Sequence, residues 1–137
     1  MKAIDYLEQV DACESRIENK ISEIQRLETL ATNISPHLSE VKVSSTPNPH
    51  RMQDVWNRLI DARSELMDEV DRLIALKFEV VKTLEMLPHL ECDVLYKIYI
   101  SHYSVQQVAE MKNYTRQGIY DIKDRALEKL QKILDSH

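Results

Sequence analysis

The residues best equipped for chemistry lie in Thr115–Leu127, TRQGIYDIKDRAL, where hydrogen-bonding side chains recur at helical spacing. At 100° per residue, Ile119, Ile122, Ala126 and Leu130 fall within about 80° of one another. Arg116, Gln117, Tyr120, Asp121 and Asp124 then share the opposite side. Such a set can read duplex DNA. A guanidinium at Arg116 can bridge guanine O6 and N7, and the Gln117 amide can pair with adenine N6 and N7. Tyr120 can offer its hydroxyl to a phosphate and its ring to a thymine methyl, while Asp121 can accept from cytosine N4 or repel a wrong register. These four are the expected base-reading residues. Lys112, Asn113, Thr115, Lys123 and Arg125 flank them and are expected to contact phosphates or to position the helix.

Placing that face in a groove requires a short helix, a tight turn and a longer helix. Ser104 reads as an N-cap followed by Val105, Val108 and Ala109, and Thr115 as a second N-cap. The pattern is that of a helix-turn-helix, whose second helix enters the major groove by its N-terminal residues. Upstream, Leu90, Val94, Leu95, Ile98 and Tyr99 predict a helix of about three turns ending near Ser101. Tyr99 and Tyr114 are expected to close the core. Gly118, the only glycine, lies in the first turn of the last helix, where its cost is below the roughly 1 kcal/mol of a helix interior. Its missing side chain would let the DNA backbone or the preceding helix come close; alternatively, it is a tolerated variation.

Ser104 to Leu130 resembles region 4 of the primary bacterial sigma factors, which reads a promoter element. The pattern T-R-x-x-I-x-x-I-x-x-[KR]-A-L-x-K-L is met at Thr115, Arg116, Ile119, Ile122, Arg125, Ala126, Leu127, Lys129 and Leu130. The resemblance implies that Arg116, Gln117 and Tyr120 face the bases. Two positions depart from it. Asn113 replaces the glycine often found at the turn, and Lys112 falls where a leucine is usually buried, so Met111 is expected to fill that space. The whole layout is similar to the RinA and ArpU type of regulator of Gram-positive phages and prophages. The opening Ala-Ile-Asp-Tyr-Leu-Glu-Gln-Val, the Ser/Pro loop and the Leu87-Pro88 junction carry that likeness.

The rest of the chain must carry and pair this module. Ile4, Leu7, Val10, Ile17, Ile21, Ile24, Leu27, Leu30 and Ile34 recur at threes and fours, predicting one long amphipathic helix. SPHLSEVKVSSTPNPH, about residues 35–50, holds three prolines and four serines and reads as a loop. A second run, Met52, Val55, Leu59, Ala62, Leu66, Val70, Leu73, Leu76, Val80, Leu84 and Leu87, continues to Pro88. Two rods of roughly 50 Å cannot bury their own stripes alone. The expected fold is all-α: residues 1–88 form a long antiparallel helical hairpin of coiled-coil type for oligomerisation or partner docking. Residues 89–137 form a C-terminal three-helix, sigma region-4-like helix-turn-helix domain.

Other functions find less support. The net charge is −5, yet residues 104–137 hold six basic against five acidic groups, the only positive balance among the consecutive segments 1–34, 35–49, 50–88, 89–103 and 104–137. No GxxxxGK[ST], HExxH or GxSxG occurs, and neither catalysis nor a cofactor is expected. His89 and Cys92 alone fall short of a tetrahedral metal site. No run is apolar enough for a membrane span, the first residues carry acids where a signal peptide would be apolar, and two distant cysteines read as reduced thiols. A cytoplasmic protein is expected. The predicted function is sequence-specific DNA binding by a transcription regulator, a phage or prophage late-gene or integration-gene activator. Its expected partners are double-stranded DNA, a second copy in a homodimer, and host RNA polymerase. Alternatives are a helical adaptor that binds polymerase without DNA, or a DNA-packaging protein like a phage terminase small subunit.

Overall fold

Leu, Ile, Val and Ala at spacings of three and four, with a single glycine and few aromatic residues, favour helix throughout. The computed structural model describes residues 1–40 and 49–137, and every regular element among them is helical. In chain order these are α1 (Ala3–Glu40), α2 (Pro49–Leu84), α3 (His89–Leu95), a π-helical segment (Tyr96–Ile100), α4 (Val105–Lys112) and α5 (Arg116–Asp135). α1 continues past Ile34 and Pro36 to Glu40, although a proline cannot donate to the carbonyl one turn back. The remainder of the expected loop, 41–48, lies outside the described residues. α2 begins on Pro49, where a proline's fixed φ suits a first helical position. It ends at Leu84. A turn follows, closed by Met86 N–H on the Thr83 carbonyl (3.1 Å) and Leu87 N–H on the Leu84 carbonyl (2.9 Å).

Packing divides the chain into two compact units, Ser15–Asp71 and Met1–Glu14 with Arg72–His137. In the first, Ile24, Leu27, Leu59 and Ala62 form the core, with Leu66 against it. Arg16 pairs with Glu69 (3.3 Å), Lys20 with Glu65, and Glu28 with Arg63 (2.9 Å). Partners descend α2 as they ascend α1, so the helices run antiparallel here. Exposed pairs of this kind contribute about 0–1 kcal/mol each, whereas burying one leucine contributes roughly 1.5–3 kcal/mol. The apolar core dominates. Its α1 face is not the whole stripe read from the sequence, because Ile21 and Leu30 are exposed and Ala31 is buried.

In the other unit the packing runs across Pro88. Ala3, Tyr6, Leu7 and Val10 of α1 and Val80 and Leu84 of α2 share one core with Leu87, Leu95, Ile100, Ala126 and Leu130. Residues 1–14 and 72–88 therefore pack with the C-terminal helices rather than apart from them. The Gln131 side chain pins the N-terminus, accepting from Ala3 N–H (2.7 Å) and donating to the Met1 carbonyl (3.1 Å). Ile4 is exposed, since Ala3, Tyr6 and Leu7 hold the inner side. A second cluster, Val94, Val108, Ala109, Ile119 and Ile122, lies between α3, α4 and α5.

The link from α3 to α4 is wider than an α-helix. Ser101 N–H reaches the Tyr96 carbonyl (3.0 Å), and Tyr103 N–H reaches that of Lys97 (2.9 Å). His102 then takes φ 61°. A left-handed residue other than glycine costs roughly 1–2 kcal/mol, although histidine is among those that visit the region more often.

Candidate nucleic-acid interface

The interface rests on how α4 and α5 begin and end. Ser104 Oγ accepts from Gln107 N–H (3.1 Å) while Gln107 Oε1 accepts from Ser104 N–H (2.8 Å), a reciprocal capping box. The expected cap at Ser104 is present, and Gln107 is a partner that the sequence reading missed, although S-x-x-Q announces it. α4 then buries Val108 and Ala109. Its C-terminal Asn113 adopts φ 60°, ψ 40°, and Tyr114 N–H closes on the Ala109 carbonyl (2.9 Å). Asparagine tolerates this conformation better than most residues because its short polar side chain can hydrogen-bond to the local backbone. Thr115 Oγ1 accepts from Gly118 N–H (3.0 Å), starting α5 as expected.

Along α5, Ile119, Ala126 and Leu130 are fully buried and Ile122 is 3% exposed. Arg116, Gln117, Tyr120, Asp121, Asp124 and Arg125 are exposed on the other side. The amphipathic period thus brings three of the expected base-reading residues, Arg116, Gln117 and Tyr120, together in solvent, with Asp121 beside them. Gln117 Nε2 donates to Asp121 Oδ1 (3.0 Å), which orients the amide. The Lys123 ammonium lies 5.8 Å from the Tyr99 ring centroid and 5.9 Å from that of Tyr120, a cation–π geometry that holds it at the edge of the face.

Other expected residues sit differently. Lys112 is mostly covered and pairs with Asp93, which also takes Lys97 (2.6 Å). Burial pushes the Asp93 carboxyl up, but its bonds to the two lysines outweigh this and hold it below its ordinary value. A lysine fits a leucine's place here because its stem is covered and its charge is met. Met111 does not fill that space; it is exposed, as is Tyr114. Tyr99 does pack against the larger core. For Gly118, a Cβ would stand 3.1 Å from the Thr115 hydroxyl and 3.6 Å from the Tyr114 ring. Close approach is therefore by its own capping residue. Gly118 also lines a groove of about 600 Å³ along α5, with Leu90, Tyr114, Asp121 and Arg125 among its walls.

Two polar constellations come from residues too distant in sequence to be read together. Glu91, buried on α3, accepts from Lys129 Nζ (2.8 Å) and ties α3 to α5. Asp11, Glu14 and His102 bring ligand atoms within 4.8 Å of one another, a spacing that could hold a cation. Glu14 is, however, engaged by Lys77 (2.9 Å) and His102 Nε2 (2.6 Å). Burial raises its carboxyl, and these two partners outweigh that and hold it below its ordinary value.

Among the described residues, no helix is long and apolar enough to cross a membrane. No curated protein and no solved structure matches the chain. Residues 32–131, which include α2 through most of α5, match the family described as "Protein of unknown function (DUF1492)", and the chain belongs to that family.

Proposed function

We propose that the protein is a sequence-specific DNA-binding transcription regulator that reads duplex DNA with the first turns of α5. The observation that carries this reading is the joint exposure of Arg116, Gln117 and Tyr120 while Ile119, Ile122, Ala126 and Leu130 are buried beneath them. Asn113 and Thr115 set the entry of α5, and Lys123 and Arg125 lie where phosphates would pass. Lys112, held by Asp93, supports the turn from inside. The layout fits a sigma region-4-like helix-turn-helix carried on paired long helices, with Arg116 nearest the bases. In the RinA and ArpU resemblance, such a protein activates phage or prophage late or integration genes together with host RNA polymerase.

The charge balance shapes this reading. Asp121 and Asp124 offset Arg116 and Arg125 on the exposed side of α5, so one copy attracts DNA weakly. A homodimer on two half-sites adds the phosphate contacts of both copies. The same acidity favours a second reading, a helical adaptor that docks on polymerase without touching DNA, and residues 1–34 hold four basic against seven acidic groups. A terminase small-subunit-like packaging role is the third. Selection from a randomised duplex pool separates them. Enrichment of one short site supports the regulator, whereas a pool that stays random with folded protein removes it.

A further inference from the structure

α2 carries a second apolar stripe that its own core does not use. Trp56 is 45% exposed, Ile60 61%, Met67 69%, Ile74 62% and Phe78 64%. At 100° per residue these five fall within about 20° of the line through Met67, and the stripe runs for about three heptads. Leu59, Leu66 and Val80, which face the cores, lie roughly 80–140° away around the same helix. This is a separate face, as coherent as a coiled-coil seam.

The order of residues along it says what fits. Counted from Met67, Ile60 and Ile74 stand seven residues either side, and Trp56 and Phe78 eleven either side. Four residues either side stand Arg63, exposed although it also pairs with Glu28 of its own chain (2.9 Å), and Asp71, both within about 40° of the same line. The stripe is thus palindromic in size and complementary in charge. A twofold, isologous contact demands that symmetry, because each residue must meet the residue at the mirrored position. With two α2 helices antiparallel, Trp56 meets Phe78, Ile60 meets Ile74, Met67 meets its own copy, and Arg63 stands level with Asp71 twice over. In a parallel pairing Arg63 would face Arg63 and Asp71 would face Asp71, which repels.

We infer that the exposed stripe of α2 is the docking surface for a second copy of this chain, antiparallel about a twofold axis at Met67. The contact stands without the DNA reading. It gives that reading a dimer whose two α5 helices are related by the same axis, as a palindromic site requires.

Sedimentation of the full chain without DNA tests it, with circular dichroism to follow the fold. Met67→Glu changes a side chain already in solvent, so helicity should hold. It places two like charges on the axis, and the dimer dissociation constant should rise on the order of 100-fold. Asp71→Arg alone should weaken the dimer, and adding Arg63→Asp should restore it, with circular dichroism checking that loss of the Arg63–Glu28 pair within the chain leaves the fold intact. A parallel dimer would show no such rescue. Trp56, the only tryptophan, should shift its emission to shorter wavelength as wild-type protein concentrates into dimer, and should not in Met67→Glu. A wild-type chain that stays monomeric at high concentration, or a dimer indifferent to Met67→Glu, overturns the proposal. So does a partner of another kind that occupies the stripe in place of the second copy.

Discussion

The contact between Gly118 and the capping residue of α5 makes a quantitative prediction about coupling. Thr115→Ala removes the acceptor of the Gly118 N–H, a 3.0 Å bond, and should cost about 1 kcal/mol, the usual worth of an N-cap. Gly118→Ala should gain up to about 1 kcal/mol of helix propensity. In the wild-type background its new methyl stands 3.1 Å from Thr115 Oγ1, so the hydroxyl must shift by a few tenths of an ångström and the cap bond weakens. The two effects nearly cancel, leaving a net change within about 0.5 kcal/mol. Once Thr115 is alanine the obstruction is gone, since the Tyr114 ring at 3.6 Å is in ordinary contact. Gly118→Ala should then stabilise by about 0.5–1 kcal/mol. The assay is a double-mutant cycle on thermal or urea unfolding followed by circular dichroism. Equal effects of Gly118→Ala in the two backgrounds would refute the reasoning and return Gly118 to a tolerated variation.

Three further outcomes follow from the same geometry. Asn113→Gly should be neutral or stabilise by up to about 1 kcal/mol, and Asn113→Val should destabilise by roughly 1–2 kcal/mol, because φ is 60° there; calorimetry reads both. Glu14 is held below its ordinary value of 4.5, so its ion pairs stabilise the fold above that pH and their contribution is lost as pH falls through the lowered value. Glu14→Gln should therefore flatten the fall in melting temperature below about pH 4.5, and an unchanged acid limb would count against the pairing with Lys77 and His102. Arg125→Ala should weaken DNA binding about equally on all sequences. It should lower the slope of log affinity against log salt by about 1 per copy, measured by fluorescence anisotropy.

What could be read from the sequence was local. The buried side of α5 followed from a 3.6-residue period at Ile119, Ile122, Ala126 and Leu130, and the caps at Ser104 and Thr115 from side chains that reach only three residues. Asn113 was legible because few residues other than glycine accept its conformation. What escaped depended on partners far along the chain. Lys112 meets Asp93, Glu14 meets His102, and Ala3 meets Gln131, and no spacing rule connects those positions. The π-helical segment escaped because its apolar spacing is that of an α-helix, and the widening shows only in the Ser101 to Tyr96 bond. Ile21 and Leu30 show the limit of period counting: an apolar residue on a long helix can sit at the margin of the stripe and remain in solvent.

The proposal that α5 reads bases is tested most directly by Arg116→Ala against the site recovered from a randomised pool. Affinity for that site should fall by roughly 5- to 150-fold, the equivalent of about 1–3 kcal/mol. Discrimination should relax at one base pair per half-site while the circular dichroism spectrum stays unchanged. A variant that binds the same site as tightly and as selectively as wild type would contradict the account.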